Sequence, residues 1–254
     1  MLLAIDIGNS NVVFGVFDGD RLRESWRVGT KARITADEYA VIVRNLFAFS
    51  GLEFRQIDGI VISSVVPPVL PLLSEMSRKH FQRDPFVITH ETKTGISLAY
   101  NDPRQLGADR IVNAAAAYRL FGGPLIIVDF GTATTFCAVT RNGEYLGGAI
   151  TPGVKISAEA LCRRAAKLPR FELVRSAAVI GRDTVSALQA GMFYGYAGLV
   201  DAIVERMKQE FAPEARVVAT GGLAELVAPA TRTITEVRPQ LTLEGLRLIY
   251  ELNR

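Results

Sequence analysis

Ala4-Ile5-Asp6-Ile7-Gly8-Asn9-Ser10-Asn11-Val12-Val13-Phe14-Gly15-Val16-Phe17-Asp18-Gly19 lies at the start of the chain, and a close copy returns at its midpoint. The copy reads Val128-Asp129-Phe130-Gly131-Thr132-Ala133-Thr134-Thr135-Phe136-Cys137-Ala138-Val139-Thr140-Arg141-Asn142-Gly143. Each has an apolar run, an Asp, a Gly two residues on, a small polar cluster, a second apolar run and a Gly-containing turn. The pattern predicts a β-hairpin, made twice. Gly8 and Gly131 let a tight turn present backbone N–H groups beside hydroxyl and amide side chains. Such a turn suits phosphate oxygens, with the Asp placed to bind a cation or its water. Asp-x-Gly between strands is also an ordinary turn signal. Matched repetition favours a site, and it predicts two similar half-domains facing each other across a cleft, with a phosphate loop on each wall.

A chain of 254 residues can form one large domain or two small ones around a substantial core. With 49% hydrophobic and 22% charged residues it reads as globular rather than disordered. A net charge of +3 is small for this length, and the densest cationic group, Arg163, Arg164, Lys167 and Arg170, reads as a solvated helix face. No nucleic-acid partner is expected. Cys137 and Cys162 lack metal-ligand spacing and read as packed thiols in a strand and a helix. The chain runs directly into a strand without a signal pattern, and no uninterrupted apolar span is long enough for a bilayer. The expectation is a cytoplasmic protein without a membrane partner.

After the first hairpin, Leu22 to Val28 predicts a third strand ending at Gly29. Thr35-Ala36-Asp37-Glu38 is a capping box for a helix carrying Tyr39, Ile42, Val43, Leu46 and Phe47, ended by Gly51. Gly59 to Val66 reads as a buried strand. Pro67-Pro68 suits the first turn of a helix with Leu70, Leu73 and Met76, and Phe86 to Ile88 is a further strand. The region His90 to Ala108 shows no clear periodicity and contains Tyr100; long irregular loops in compact proteins are commonly functional. Gly107-Ala108-Asp109-Arg110 then leads into a helix of small residues ended by Gly122-Gly123, where Asp109 is either a cap or a site residue.

The second half repeats the plan: strands over Leu125 to Asp129, Thr134 to Thr140 and Glu144 to Ile150, then a helix from Pro152-Gly153 through Cys162. Arg182-Asp183-Thr184 starts a long helical region to Phe211, in which Gly191, Gly195 and Gly198 expose a slim face. That face implies close packing against another helix or chain, or else a kinked surface helix. Val217 to Gly222 reads as a strand and a glycine turn at a helix N-terminus, either a nucleotide contact or a plain joint. Thr242 is expected to cap a last helix through Leu252.

This order resembles the duplicated fold of actin, sugar kinases and acetate kinase: α/β, ribonuclease H-like and two-lobed, with mixed sheets flanked by helices. The lobes are expected at residues 1–122 and 123–254. Within that fold the chain resembles type III pantothenate kinase. The resemblance is carried by Asp6 to Asn11, Gly107 to Arg110, Val128 to Phe136, Gly147-Gly-Ala-Ile-Thr-Pro-Gly153, Asp183-Thr184 and Thr220-Gly-Gly222.

The resemblance implies ATP-dependent phosphorylation of pantothenate, the first step towards coenzyme A. It implies that Asp6, Ile7, Gly8, Asn9, Ser10, Asn11, Val12 and Val13 grip ATP phosphates and their Mg2+, with Thr132 a further ATP contact. Asp109 is implied as general base; Tyr100, Gly107, Ala108, Asp109, Arg110 and Thr184 as the pantothenate site; Asp129 as the ligand of a monovalent cation, K+ or NH4+. It also implies a homodimer, which would account for the glycine face after Thr184. Three positions depart from the family pattern. Ser10 stands where Thr is frequent, Cys137 where many members carry an acid, and Asp183 where Asn is common. The competing functions are a kinase of another small hydroxylated substrate, with the same phosphate loops, and an accessory transcription factor, which calls for a basic surface or recognition helix.

Overall fold

The computed structural model describes residues 1–254, whose contacts group into two units. The first comprises Met1–Gly95, Asn101–Ala116 and Thr242–Arg254; the second, Ile96–Tyr100 and Ala117–Leu241. The sequence-based division at 122/123 therefore differs in three segments: a strand at 96–100 and residues 117–122 join the second unit, and the C-terminal helix joins the first.

The first unit runs β1 (Leu2–Ile7), β2 (Asn11–Asp18), β3 (Arg21–Gly29), α1 (Ala36–Phe49), β4 (Gly59–Ser64), α2 (Leu70–Met76) and β5 (Phe86–Val87). Its sheet has the order β3-β2-β1-β4-β5, with β1 antiparallel to β2 and parallel to β4. Central strands are covered on both faces, which explains the unbroken apolar runs Leu3-Ala4-Ile5 and Ile60-Val61-Ile62, all at most 1% exposed. Helix α1 starts as expected: Thr35 Oγ1 accepts the Glu38 N–H at 3.2 Å, and Glu38 Oε2 accepts the Thr35 N–H at 2.7 Å. Its Tyr39, Ala40, Val43 and Phe47 pack into the core with Leu3, Ile5, Phe14, Ile60 and Ile62.

One local expectation is not met. Pro67 and Pro68 lie in the turn before α2, and the proline in the first helical turn is Pro71. Beyond Met76 the helix widens into a five-residue π turn, Ser77–Phe81, and stops at Gln82 with a left-handed φ of 54°.

Helix α3 (Ala108–Phe121) begins in the first unit, and α7 (Leu241–Leu252) packs on it from Thr242 onward. Thr242 is not the cap expected of it, because the helix already begins at Leu241; its Oγ1 donates to Asn113 Oδ1 at 2.8 Å. Close approach explains two glycines. A Cβ on Gly245 would stand 2.6 Å from Val112 O, and one on Gly15 would stand 2.8 Å from Leu243 Cδ1. The last helix belongs with the first strands because their surfaces lack the side chains that would keep it away.

The second unit runs β6 (Ser97–Leu98), β7 (Leu125–Phe130), β8 (Ala133–Val139), β9 (Glu144–Pro152), α4 (Val154–Arg164), α5 (Thr184–Phe211), β10 (Arg216–Thr220), α6 (Ala224–Val227) and β11 (Glu236–Val237). Its sheet order is β11-β10-β7-β8-β9-β6. Taken from β9, the series β9-β8-β7-β10-β11 repeats β3-β2-β1-β4-β5, so the duplication seen in the sequence is a duplication of topology. The register of the parallel pair repeats as well, while the second hairpin is one residue shorter. Asp6 lies across from Val13 and Ser63; Asp129 lies across from Thr135 and Thr220. The added edge strand β6 comes from the region that shows no periodicity, since two residues are too short to display one.

Helix α5 is long and apolar enough to cross a bilayer by length and composition, contrary to the reading of the bare sequence. Its buried positions, Ala190, Phe193, Tyr196, Ala197, Val200 and Val204, form a seam at helical spacing, and several pack with Ile126, Val128 and Phe136. That is the pattern of a helix packed by one face against a sheet. A Cβ on Gly191, Gly195 or Gly198 would meet nothing within 4 Å, so no element of the chain itself packs against that glycine face. Helix α6 has only four residues and offers no long dipole behind the Gly221-Gly222 turn.

Asp201 is a buried carboxylate on α5, 5% exposed. It accepts the backbone N–H groups of Arg232 and Thr233, both at 3.0 Å, and the Thr233 hydroxyl at 2.8 Å. Asp201→Ala strands these donors and is expected to cost about 3 kcal/mol. The melting temperature should fall by roughly 6–10 °C, with much of the loss recovered in Asp201→Asn, which retains an acceptor. Equal melting of Ala and Asn variants would show that the acceptor is immaterial.

Candidate active site

The two Asp-x-Gly turns close over different spans, the first from a carbonyl three residues on and the second from one two residues on. The Gly8 N–H donates to Asn11 O at 3.0 Å and the Gly131 N–H to Ala133 O at 3.1 Å. The first turn is also held from β3 and beyond: Thr30 Oγ1 donates to Gly8 O at 2.6 Å, and the Thr30 N–H to Ser10 O at 3.1 Å. Asn9 and Ser10 are exposed at its tip, Gly8 and Asn11 are partly covered, Ile7 and Val12 are buried, and Val13 is partly covered.

Asp6 sits at the sheet end of this turn and is only partly exposed. Ser63 Oγ, one strand across, donates to Asp6 Oδ1 at 2.6 Å. Burial pushes the Asp6 carboxyl up to about 6. The Ser63 hydrogen bond opposes that rise, the nearby Asp109 carboxylate reinforces it, and Arg27 opposes it again.

Asp109 is the second residue of α3, inside the helix rather than at its cap. Its Oδ1 accepts the Arg110 N–H at 2.7 Å. A Cβ on Gly107 would stand 2.6 Å from that same oxygen and 3.2 Å from Val65 Cγ1, so the carboxylate folds back into space that only glycine leaves open. Burial holds the Asp109 carboxyl above its ordinary range, against the Arg110 N–H and the Arg110 charge. Ala108 and Arg110 are themselves buried, Arg110 at 8% exposure. The first unit thus brings Asp6, Ser63, Gly107, Asp109 and Arg110 into one electrostatic group. Sequence reading missed Ser63 and Thr30. The signal for Ser63 was the Ser63-Ser64 pair at the end of an otherwise wholly apolar strand.

The remaining candidates belong to the second unit. Asp129 is partly buried at the end of β7. A Cβ on Gly221, whose φ is +91°, would stand 2.4 Å from Asp129 Oδ1, and one on Gly131 would stand 3.7 Å from it. Thr220-Gly-Gly222 thereby acquires a role: it leaves room beside the carboxylate. Thr132 is exposed on the turn, and Thr184 is exposed as the first residue of α5. Asp183 caps that helix, its Oδ1 accepting the Ser186 N–H at 2.9 Å, a task Asn performs equally well. Tyr100 follows β6, which pairs with β9. Its ring lies 6.1 Å from that of Tyr145, and a Cβ on Gly147 would stand 3.5 Å from it. The Tyr145 hydroxyl donates to Cys137 Sγ at 3.4 Å, so the thiol at this departure from the family pattern is a buried acceptor.

Hard oxygen donors fit hard cations. The Asp6 carboxylate beside the Ser63 hydroxyl, raised in pKa by burial and by Asp109, is a site where positive charge is favourable; Mg2+ held through one carboxylate, waters and phosphates suits it. The missing Cβ at Gly221 lets the Asp129 carboxylate lie against that backbone.

A repeated Asp-x-Gly hairpin in each unit, with the carboxylates Asp6 and Asp109 beside the first, has the form of a phosphotransferase of the actin and sugar-kinase fold. A family model described as type III pantothenate kinase matches residues 2–206, and the type III pantothenate kinases of Geobacter sulfurreducens and Geotalea daltonii are 54% and 53% identical over 254 residues. These alignments cover 100% of this chain and 100% and 99% of the relatives. The chain belongs to the type III pantothenate kinase family and is a kinase.

Solved structures share the fold at low identity. A Campylobacter jejuni protein titled a conserved putative Baf family transcriptional activator aligns with TM-score 0.61 and 21% identity, covering 99% of this chain and 98% of that one. A ROK family glucokinase from Streptomyces griseus aligns with TM-score 0.52 and 12% identity over 99% and 98%.

Since the folded Asp6 pKa of about 6 lies above the ordinary 3.8, folding disfavours its charged form. The resulting destabilisation is absent below about pH 4, grows as pH rises through 6, and is at most about 3 kcal/mol above it. Asp6→Asn should therefore raise the melting temperature at pH 8 and leave it nearly unchanged at pH 4, while abolishing turnover. A melting curve unaffected at pH 8 would remove the desolvated-carboxylate account.

Proposed function

We propose that this chain transfers the γ-phosphoryl group of ATP to the hydroxyl of pantothenate, forming 4'-phosphopantothenate at the first step towards coenzyme A. The observation that carries the reading is the Asp109 carboxylate, folded over Gly107, held above its usual pKa and electrostatically coupled to Asp6. Phosphoryl transfer asks little covalent chemistry of a protein. It needs an attacking hydroxyl in line, a carboxylate within reach of its proton, and positive charge on the transferred group. A base whose pKa is raised accepts a proton more readily than an ordinary aspartate, and Asp109 takes that role.

Asp6 to Val13 hold the phosphates through turn N–H groups and the Asn9, Ser10 and Asn11 side chains, with Thr132 a second contact. Asp6, oriented by Ser63, would hold Mg2+; when bound, the ion neutralises phosphate charge. This reading assigns Gly107 to Arg110 of the first unit, and Tyr100 and Thr184 of the second, to pantothenate; the Arg110 guanidinium can pair with the substrate carboxylate or with developing charge. Asp129 would hold K+ or NH4+, offsetting phosphate charge without the rigid coordination of a divalent ion. The open Gly191, Gly195 and Gly198 face of α5 fits the homodimer of this reading, since a second chain can approach its backbone closely.

ADP release should require pantothenate, ATP and Mg2+ together, and should be much faster with K+ than with Na+ as the monovalent cation. Turnover with a different hydroxylated acceptor and none with pantothenate would replace the substrate; equal rates in K+ and Na+ would remove the cation at Asp129. Asp109→Asn should lower kcat by roughly 100-fold or more with ATP affinity retained, because an amide cannot accept the hydroxyl proton. Loss of ATP binding in that variant would make Asp109 a structural residue.

A further inference from the structure

The turn that carries Thr132 is seated on another piece of backbone. The Gly153 N–H donates to Thr132 O at 3.1 Å. A Cβ on Gly153 would stand 2.2 Å from that oxygen and 2.6 Å from Gly131 O, so main chain lies directly on main chain. Displacing residue 153 must displace residue 132. Gly153 is in turn held by a side chain from α5. Tyr196, 8% exposed, donates its hydroxyl to Pro152 O at 3.0 Å, with Gly153 O at 3.3 Å. Its oxygen lies 2.5 Å from Ser157 Oγ in the first turn of α4. A phenol has one proton, and with that proton on the carbonyls Ser157 is the donor in the short contact. The Ser157 N–H closes the first helical bond to Gly153 O at 3.1 Å. Strand end, helix start and long helix are therefore tied at one point, behind the turn.

We propose that Tyr196, assisted by Ser157, is a positioning residue of the phosphoryl-transfer site: through Pro152-Gly153 it sets where the Gly131-Thr132 turn stands and so how the nucleotide is gripped. The proposal rests on the reading that Thr132 contacts ATP. Tyr196 itself touches neither substrate nor the reacting atoms in this account. The ring belongs to the core cluster that includes Phe130, Phe136, Val154 and Val200, and Tyr196→Phe keeps the ring while removing the hydroxyl.

The test uses the full chain with Tyr196→Phe, Ser157→Ala, Thr132→Ala and the Tyr196→Phe/Thr132→Ala double variant. KM for ATP and for pantothenate, kcat, ATP binding and the melting curve are measured for each. Tyr196→Phe should raise KM for ATP roughly three- to tenfold, the loss of about one hydrogen bond, with KM for pantothenate unchanged. Ser157→Ala should shift it in the same direction by less. The double variant should be no worse than Thr132→Ala alone, because both act through one turn. A Tyr196→Phe enzyme with normal KM for ATP, or with both KM values raised alike as the melting temperature drops, overturns the proposal. So does strict additivity in the double variant. If Thr132→Ala leaves ATP binding unaltered, the assignment of Thr132 fails and the proposal falls with it, an outcome distinct from a Tyr196 failure on an intact Thr132 effect.

Discussion

Everything around the first hairpin depends on keeping the Asp6 carboxylate partly out of water at the end of a covered strand. Desolvation disfavours its charged form and lifts its pKa to about 6. The structure answers with the Ser63 hydroxyl, supplied by the neighbouring parallel strand at 2.6 Å, and adds a second carboxylate, Asp109, that makes the problem worse. A cluster that disfavours its own charge in this way is unfavourable for the empty protein and favourable for a cation with phosphates. Binding and folding stability thus pull in opposite directions at one residue.

Glycine is the means by which the fold tolerates that concentration of groups. Gly107 makes room for a carboxylate, Gly153 for the backbone of the Gly131-Thr132 turn, and Gly221 for the oxygen of Asp129. In each case the adjacent group is polar and belongs to the candidate site. Gly245 and Gly15 use the same absence of a side chain for packing, bringing α7 onto α3 and β2. A glycine count cannot separate these uses; only the identity of the atom across the gap does.

The duplicated topology gives the two turns the same local frame and different surroundings. Asp6 has Ser63 beside it on the next strand, and Asp129 has Thr220 in the corresponding register. The first turn is braced by Thr30, whereas the second rests on Gly153 and, behind it, on Tyr196. The copies have kept the strand-turn-strand scaffold and diverged in what supports it.

The repeated Asp-x-Gly hairpins, the Thr35 capping box and the long helix from Thr184 were legible in the sequence because each is a short-range pattern of side-chain period or capping chemistry. So was the family, through motifs whose spacing survives without coordinates. The pairing of Ser63 with Asp6, the brace at Thr30, the strand β6 and the docking of Thr242 on Asn113 were not legible. These contacts join residues 22 to 129 positions apart, and no local period encodes which hydroxyl will meet which carboxylate. Sequence by itself determined the elements, their duplication and the chemical inventory. Tertiary structure decided which groups share a desolvated space, because burial and electrostatic coupling arise only when distant strands are set side by side.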